Sequence, residues 1–259
     1  MPRRVLPRRG GGEPGTMTYC VGLFLRDGLV MLGDTRTNAG VDNISTFSKL
    51  YTAGVEGDRS FGLLSAGNLG ITQAVWNRLQ EGVLLDGEMQ TLLTVPTMFR
   101  AAQLVGAAVR AVYAADGAAL KAQGLSFTAS FLIGGQIRGD DAHLFLVYSA
   151  GNFIEATADT PFLQIGEHKY GKPIITRVLT HDTPLEDGVK LVLVSMDDTV
   201  RTNLSVGLPL DLLVLRKDRF ETPAVRRIAA DDPYFAALRN GWSSRMRQTF
   251  RDLPSPEWM

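Results

Sequence analysis

The chain carries a single cysteine, Cys20, in 259 residues, so it can form no intramolecular disulfide and no cysteine-based metal cluster. Its histidines, His143, His168 and His181, are scattered without metal-ligand spacing and read as non-catalytic, with His168 the one closest to a candidate site. No apolar run approaches the roughly 18 residues of a membrane span. Neither sign of charge prevails, with 27 Lys+Arg against 27 Asp+Glu. Setting aside the first sixteen residues removes Arg3, Arg4, Arg8, Arg9 and Glu13 and leaves 23 basic against 26 acidic. The remainder has no basic stripe, so nucleic acid is excluded as the expected partner. The paired arginines lack an apolar stretch behind them, since Gly10-Gly11-Gly12-Glu13-Pro14-Gly15 follows. A secretion signal is therefore not indicated, and the cytoplasm is the expected compartment.

What is present is the composition of an ordinary globular protein, 45% hydrophobic and 21% charged, in a length that can bury one full core. Residues 1–17 are too rich in Pro, Gly and Arg to join that core. They read either as a disordered leader or as codons upstream of a misassigned start at Met17, and residues 18–259 read as a single domain.

Tyr19–Leu25 and Leu29–Asp34 are apolar, β-prone runs joined by Arg26-Asp27-Gly28, a strong hairpin signal. Further strands are expected at 49–52, 60–66, 126–134, 144–148, 153–156 and 210–215. Ile71, Val75, Leu79 and Leu84 fall near helical spacing after Gly67, and a second helix is expected over 97–115 with Phe99, Leu104, Val105, Val109, Val112 and Tyr113 on its apolar side. Helices are also expected over 171–179 and 185–194. The tail from Asp231 to Arg251 is amphipathic through Phe235, Leu238, Trp242, Met246 and Phe250. This order predicts an α+β class, with helices outside two antiparallel sheets.

Thr18, Asp34 and Lys49 each sit at the end or start of an apolar run. Methionine before a small residue is removable, and an exposed Thr18 would carry its own base. An α-amine has a pKa of about 7.7–8.0, so part of it is neutral at cellular pH. Lys49 would lower the pKa of amine and hydroxyl, and Asp34 would hold Lys49. Ser65-Ala66-Gly67-Asn68 closes a strand and opens a helix, which makes the Gly67 amide an oxyanion candidate. Taken singly, each has another reading: Thr18 as a strand threonine, Asp34 as a turn residue or partner of Arg36, Lys49 as a surface lysine, Gly67 as a bend. Cys20, Trp76 and Trp242 read as core or interface residues.

Together, Thr18, Gly33-Asp34, Lys49 and Ser65-Ala66-Gly67 resemble the site of the proteasome β-type subunits and the related bacterial ATPase-partnered peptidase. Longer segments resemble the Anbu, or ancestral β subunit, branch of that family: Met17–Gly22, Asp34–Asp42, Leu64–Leu69, Gly151–Thr157 and Thr202–Pro209. The resemblance implies a four-layer αββα sandwich, the N-terminal-nucleophile hydrolase fold. It implies a threonine peptidase in which Thr18 attacks, Lys49 and Asp34 tune, and Gly67 binds the oxyanion. It also implies self-assembly into a ring or an open helical stack, a peptide or protein substrate, and room for an ATPase or ligase partner. No cofactor and no catalytic metal are expected, although the segment at 196–202 resembles one whose carbonyls bind a structural cation.

Glu167 stands where the family has a serine beside the α-amine, and it is expected in a supporting role or as a surface acid paired with Lys169. Asp198 and Thr202 match the family's supporting acid and hydroxyl only approximately. Thr37, Ser48, Tyr51 and Leu69 are expected to line the substrate pocket. Two alternatives stay open, a narrow amidase of the same fold and a silent assembly subunit whose leader is retained.

Overall fold

The computed structural model describes residues 18–38 and 44–259. The leader expectation for 1–17, and the resembling residues 39–42, lie outside the described residues. In chain order the strands begin with β1 (Tyr19–Leu25), β2 (Gly28–Asp34), β3 (Arg36–Asn38), β4 (Ile44–Thr46), β5 (Leu50–Val55) and β6 (Arg59–Gly67). Helix α1 (Leu69–Glu81), a hairpin of β7 (Val83–Leu85) and β8 (Glu88–Gln90), and the long α2 (Met98–Ala122) follow. Next come β9 (Ala129–Ile137), β10 (His143–Val147), β11 (Phe153–Glu155) and β12 (Phe162–Gly166). The chain closes with α3 (Lys172–Val178), α4 (Leu185–Thr202), β13 (Leu210–Arg216), β14 (Arg226–Ile228) and α5 (Pro233–Arg251).

Two antiparallel sheets form the centre, one ordered β12-β1-β2-β13-β14 and the other β11-β10-β9-β6-β5. Helices cover both, so β1 and β2 are buried on two faces and read as nearly continuous apolar runs. The two-residue period still sorts their side chains. In β1 and β2, Tyr19, Val21, Leu23, Val30 and Leu32 pack toward α3, α4 and α5, whereas Cys20, Leu29 and Met31 face the other sheet. In β6 and β9, Phe61, Leu63, Phe131 and Ile133 pack under α1 and α2, and Leu64 and Leu132 complete the layer between sheets. This is the αββα sandwich.

Several expectations need correction. Helix α2 runs past residue 115 because Gly117 does not stop it. Its missing side chain is filled by the Tyr113 ring, whose Cδ2 would sit 3.0 Å from an added Cβ. Phe99 and Tyr113 are more than half exposed, so they do not lie on the buried stripe of α2. Leu84 belongs to the β7–β8 hairpin, not to α1. Asp86 and Gly87 turn that hairpin with φ of 53° and 88°, and Asp-Gly was the signal available to find it. Strand β12, absent from the expected strands, ends at Gly166 and pairs with β1 from Leu23↔Phe162 to Tyr19↔Gly166. Helix α4 continues eight residues beyond Val194.

Among the described residues no helix is long and apolar enough to cross a membrane.

Candidate active site

The antiparallel order alone gathers the candidate residues. Thr18 precedes β1, and Asp34 ends β2, which pairs with β1 from Leu25↔Gly28 to Cys20↔Gly33. Lys49 precedes β5, and Gly67 ends β6, which pairs with β5 from Val55↔Arg59 to Leu50↔Leu64. The Cys20 thiol points across the sandwich to the Ser65 carbonyl at 3.7 Å, so both pairs open at the same mouth.

Thr18, Asp34 and Lys49 are all buried, at 3%, 0% and 6% exposure. Lys49 Nζ donates to Asp34 Oδ1 at 2.8 Å and to the Arg36 carbonyl at 2.6 Å. Asp34 also accepts from the Tyr19 amide at 3.1 Å and from the Gly207 amide at 3.4 Å. Burial pushes the Asp34 carboxyl up from its ordinary value, and the Lys49 ammonium and the two amides pull the other way. A buried carboxylate with this many donors remains a fixed counter-charge for Lys49. The main chain of Lys49 is held too, since its carbonyl accepts from the Ser65 amide at 2.9 Å.

Two glycines are required by their surroundings. Gly166 has φ of 78°, and a Cβ there would lie 1.9 Å from the Thr18 carbonyl oxygen. Gly67 has φ of 121°, and its Cβ would meet the Thr128 carbonyl at 2.3 Å. Neither position tolerates a side chain, so the backbone fits closely around the mouth.

Glu167 is partly buried beside Thr18: its amide donates to the Thr18 carbonyl at 2.6 Å, and its carboxylate lies 3.5 Å from the Asn203 side-chain amide. Asp198 is only half buried and faces Trp242 of α5, and burial raises its carboxyl above the ordinary value. Thr202 turns its hydroxyl back onto its own helix, to the carbonyls of Asp198 and Thr199. Neither bonds Thr18, Asp34 or Lys49 among the described residues. Position 197, which sequence reading passed over, carries the buried acid of α4. Asp197 takes Arg201 at 2.8 Å and Arg239 at 2.5 Å, and so ties α5 to α4.

Of the expected pocket residues, Thr37 presents a buried hydroxyl with no partner among the described residues. Tyr51 stacks on Trp76 with ring centroids 4.8 Å apart. Leu69 opens α1, half buried, just after the Asn68 cap. Ser48 is half-buried, and its hydroxyl donates to Asp211 at 2.8 Å, a carboxylate from a strand 163 residues away that local sequence does not reveal. Cys20 is fully buried, and burial pushes its thiol far up, so it packs and does not attack.

Residues 196–202 lie inside α4, whose ladder uses the carbonyls of 196–198, while Asn203 takes that of Thr199. Only the carbonyls of Val200, Arg201 and Thr202 at the helix end could then serve a cation. Among the described residues no group of three or more His, Cys, Asp or Glu gathers to hold a metal.

No family model matches the chain, and no curated protein does. Solved structures do. Anbu, the ancestral β-subunit, from Yersinia bercovieri is 48% identical over 93% of this chain and 99% of its own, with a TM-score of 0.85. Anbu from Hyphomicrobium sp. strain MC1 is 48% identical over 93% of this chain and 100% of its own, with a TM-score of 0.82. A structure described as the helical assembly of the Anbu complex from Pseudomonas aeruginosa is 49% identical over 92% of this chain and 98% of its own, with a TM-score of 0.87. With identity at this level over nearly its whole described length, the chain belongs to the Anbu family and has the proteasome β-type fold.

Proposed function

We propose that the protein is an N-terminal threonine hydrolase of amide bonds, with Thr18 as nucleophile once it is the first residue of the chain. The observation that carries this reading is the buried Lys49–Asp34 pair, 2.8 Å between charged atoms, at the strand mouth where Thr18 leads into β1. Burying such a pair is costly, and a surface lysine serves solubility as well. A fixed ammonium beside a free α-amine has a chemical use, because it lowers the pKa of both amine and hydroxyl.

In the proposed reaction Thr18 Oγ attacks the substrate carbonyl carbon and its α-amine takes the hydroxyl proton. The Gly67 amide stabilises the oxyanion. The C–N bond then breaks, the leaving amine accepts the proton, and Thr18 carries an ester. Water attacks that ester with the α-amine again as base, releasing the acid and restoring Thr18. Glu167, on the Thr18 carbonyl through its amide, fixes the nucleophile's backbone. Lys49, Asp34 and Gly67 require no bound cofactor in this scheme.

Self-assembly belongs to the proposal as well. The Pseudomonas aeruginosa relative is described as a helical assembly, and a chain of this similarity is expected to stack in the same manner. Met246, Phe250, Leu253 and Trp258 are exposed on and after α5, compatible with a contact between copies. A cytoplasmic location and a feeding ATPase or ligase partner are expectations of the same family reading.

Hydrolysis of a panel of unrelated short peptides, each with a chromogenic amide, tests the reaction. The protein beginning at Thr18 is expected to cleave several of them, and Thr18→Ala none. Equal cleavage by Thr18→Ala would overturn the assignment.

A further inference from the structure

The Lys49 ammonium is held at its tip by Asp34 and the Arg36 carbonyl, and the Lys49 carbonyl by the Ser65 amide, just before β5 begins. A second buried acid bonds the residue before Lys49. Asp211 on β13 is opposite Gly33, one position from the Leu210↔Asp34 pair, so successive residues of β13 place the two acids on opposite faces of the first sheet. The Asp211 side chain is 2% exposed. Arg227 of β14 grips it as a fork, Nε to Oδ1 at 2.8 Å and Nη2 to Oδ2 at 3.0 Å. Its Oδ2 also accepts the Ser48 hydroxyl at 2.8 Å. The same hydroxyl lies 3.0 Å from the Leu50 carbonyl and 3.4 Å from the Leu50 amide, bracketing Lys49 from both sides.

We infer that Asp211, steadied by Arg227, is a positioning residue that clamps Ser48 and thereby sets the Lys49 ammonium on Asp34. The clamp joins the two sheets at the mouth, since Ser48 leads into the second sheet and Asp211 belongs to the first. A neutral hydroxyl partner would give Ser48 a weaker hold, and the bidentate arginine fixes the orientation of Asp211. The half-exposed Arg227 head places the compensating charge at the surface, so the acid faces inward with one direction left to act. The inference rests on the catalytic reading of Lys49 for its functional consequence, not for its geometry.

Ser48→Ala is the cleanest probe, because it leaves the Asp211–Arg227 pair whole. Two readouts are taken: the pH profile of covalent adduct formation on Thr18, and the rate at which an acetylating reagent modifies Lys49, followed by peptide mapping. Lys49 is protected in the native protein, being 6% exposed. Ser48→Ala is expected to move the pH profile alkaline by about half a unit or more, as the ammonium loses its fixed place near the amine. It is also expected to raise Lys49 acetylation severalfold without a change in melting temperature. Asp211→Asn is expected to move both readouts in the same direction with a lower melting temperature, since it also breaks the pair with Arg227, and Ser48→Thr to restore both readouts. A lower rate with an unshifted profile and unchanged Lys49 protection would overturn the clamp. If the native protein forms no adduct at any pH, the catalytic reading falls, and Lys49 acetylation alone then decides the clamp, with equal protection in Ser48→Ala overturning it.

Discussion

Replacing Lys49 with methionine is expected to reduce the rate of reaction at Thr18 by on the order of 10²–10⁴-fold, the range typical of a group that assists proton transfer. At neutral pH the variant should also lose about 3–5 kcal/mol of stability, because Asp34, at 0% exposure, must then either carry a charge without a cation or take up a proton. The sign of the pH effect follows. Burial already pushes Asp34 up, and Lys49 is the largest influence holding it down. With Lys49 gone, the folded state binds a proton on Asp34 to higher pH than the unfolded chain does. Stability of Lys49→Met should therefore fall as pH rises from about 4 toward neutral. Thermal melts across that range check this. The double variant Asp34→Asn with Lys49→Met removes both charges and is expected to recover most of the stability but none of the activity. That split separates the pair's chemical role from its structural one.

Gly166→Ala carries the second large effect. An added Cβ would lie 1.9 Å from the Thr18 carbonyl, and φ is 78°, so the end of β12 and the start of β1 cannot both stay in place. The rest of the β1–β12 pairing, from Leu23↔Phe162 to Cys20↔Ile165, is untouched, so the fold should survive with Thr18 displaced. Reaction at Thr18 is expected to be lost. Gly139→Ala is the matched control. Its φ of 87° imposes the same strain of about 1–2 kcal/mol, but nothing lies within 4 Å of its added Cβ. It should cost stability and leave the reaction intact. Equal reactivity of the two alanine variants would contradict the proposed role of the Thr18 backbone position.

How much of this could be read from the residues depends on how far apart the interacting groups lie in sequence. The β1–β2 hairpin is legible because its turn and both apolar runs are local. That Thr18, Asp34, Lys49 and Gly67 each sit beside a strand end is legible as well. Grouping them as one site rests on the family resemblance, and of the four the structure joins Lys49 and Asp34 by a side-chain bond. The supports are not legible. Gly207 reaches Asp34 across 173 residues, and Asp211 reaches Ser48 across 163, with no local pattern to announce either. The sequence offers Ser48 as a pocket hydroxyl and gives no hint of the carboxylate beside it. Helix α2 is expected to end at 115 but runs to Ala122, and Gly117, a poor helix former within it, is accommodated against the Tyr113 ring. Asp198 draws attention as a supporting acid, yet it faces Trp242, and its neighbour Asp197 takes the arginines.

The central claim is that Thr18 acts as a free N-terminal residue, and intact mass followed by reaction with a peptide epoxyketone tests it most directly. Such a reagent closes a ring through the hydroxyl and the α-amine of one residue, so it reports both groups together. The account predicts a species beginning at Thr18 that gains one reagent mass, mapped to Thr18 and absent in Thr18→Ala. A chain that retains residues before Thr18 and gains no adduct, or an adduct that persists in Thr18→Ala, would contradict it.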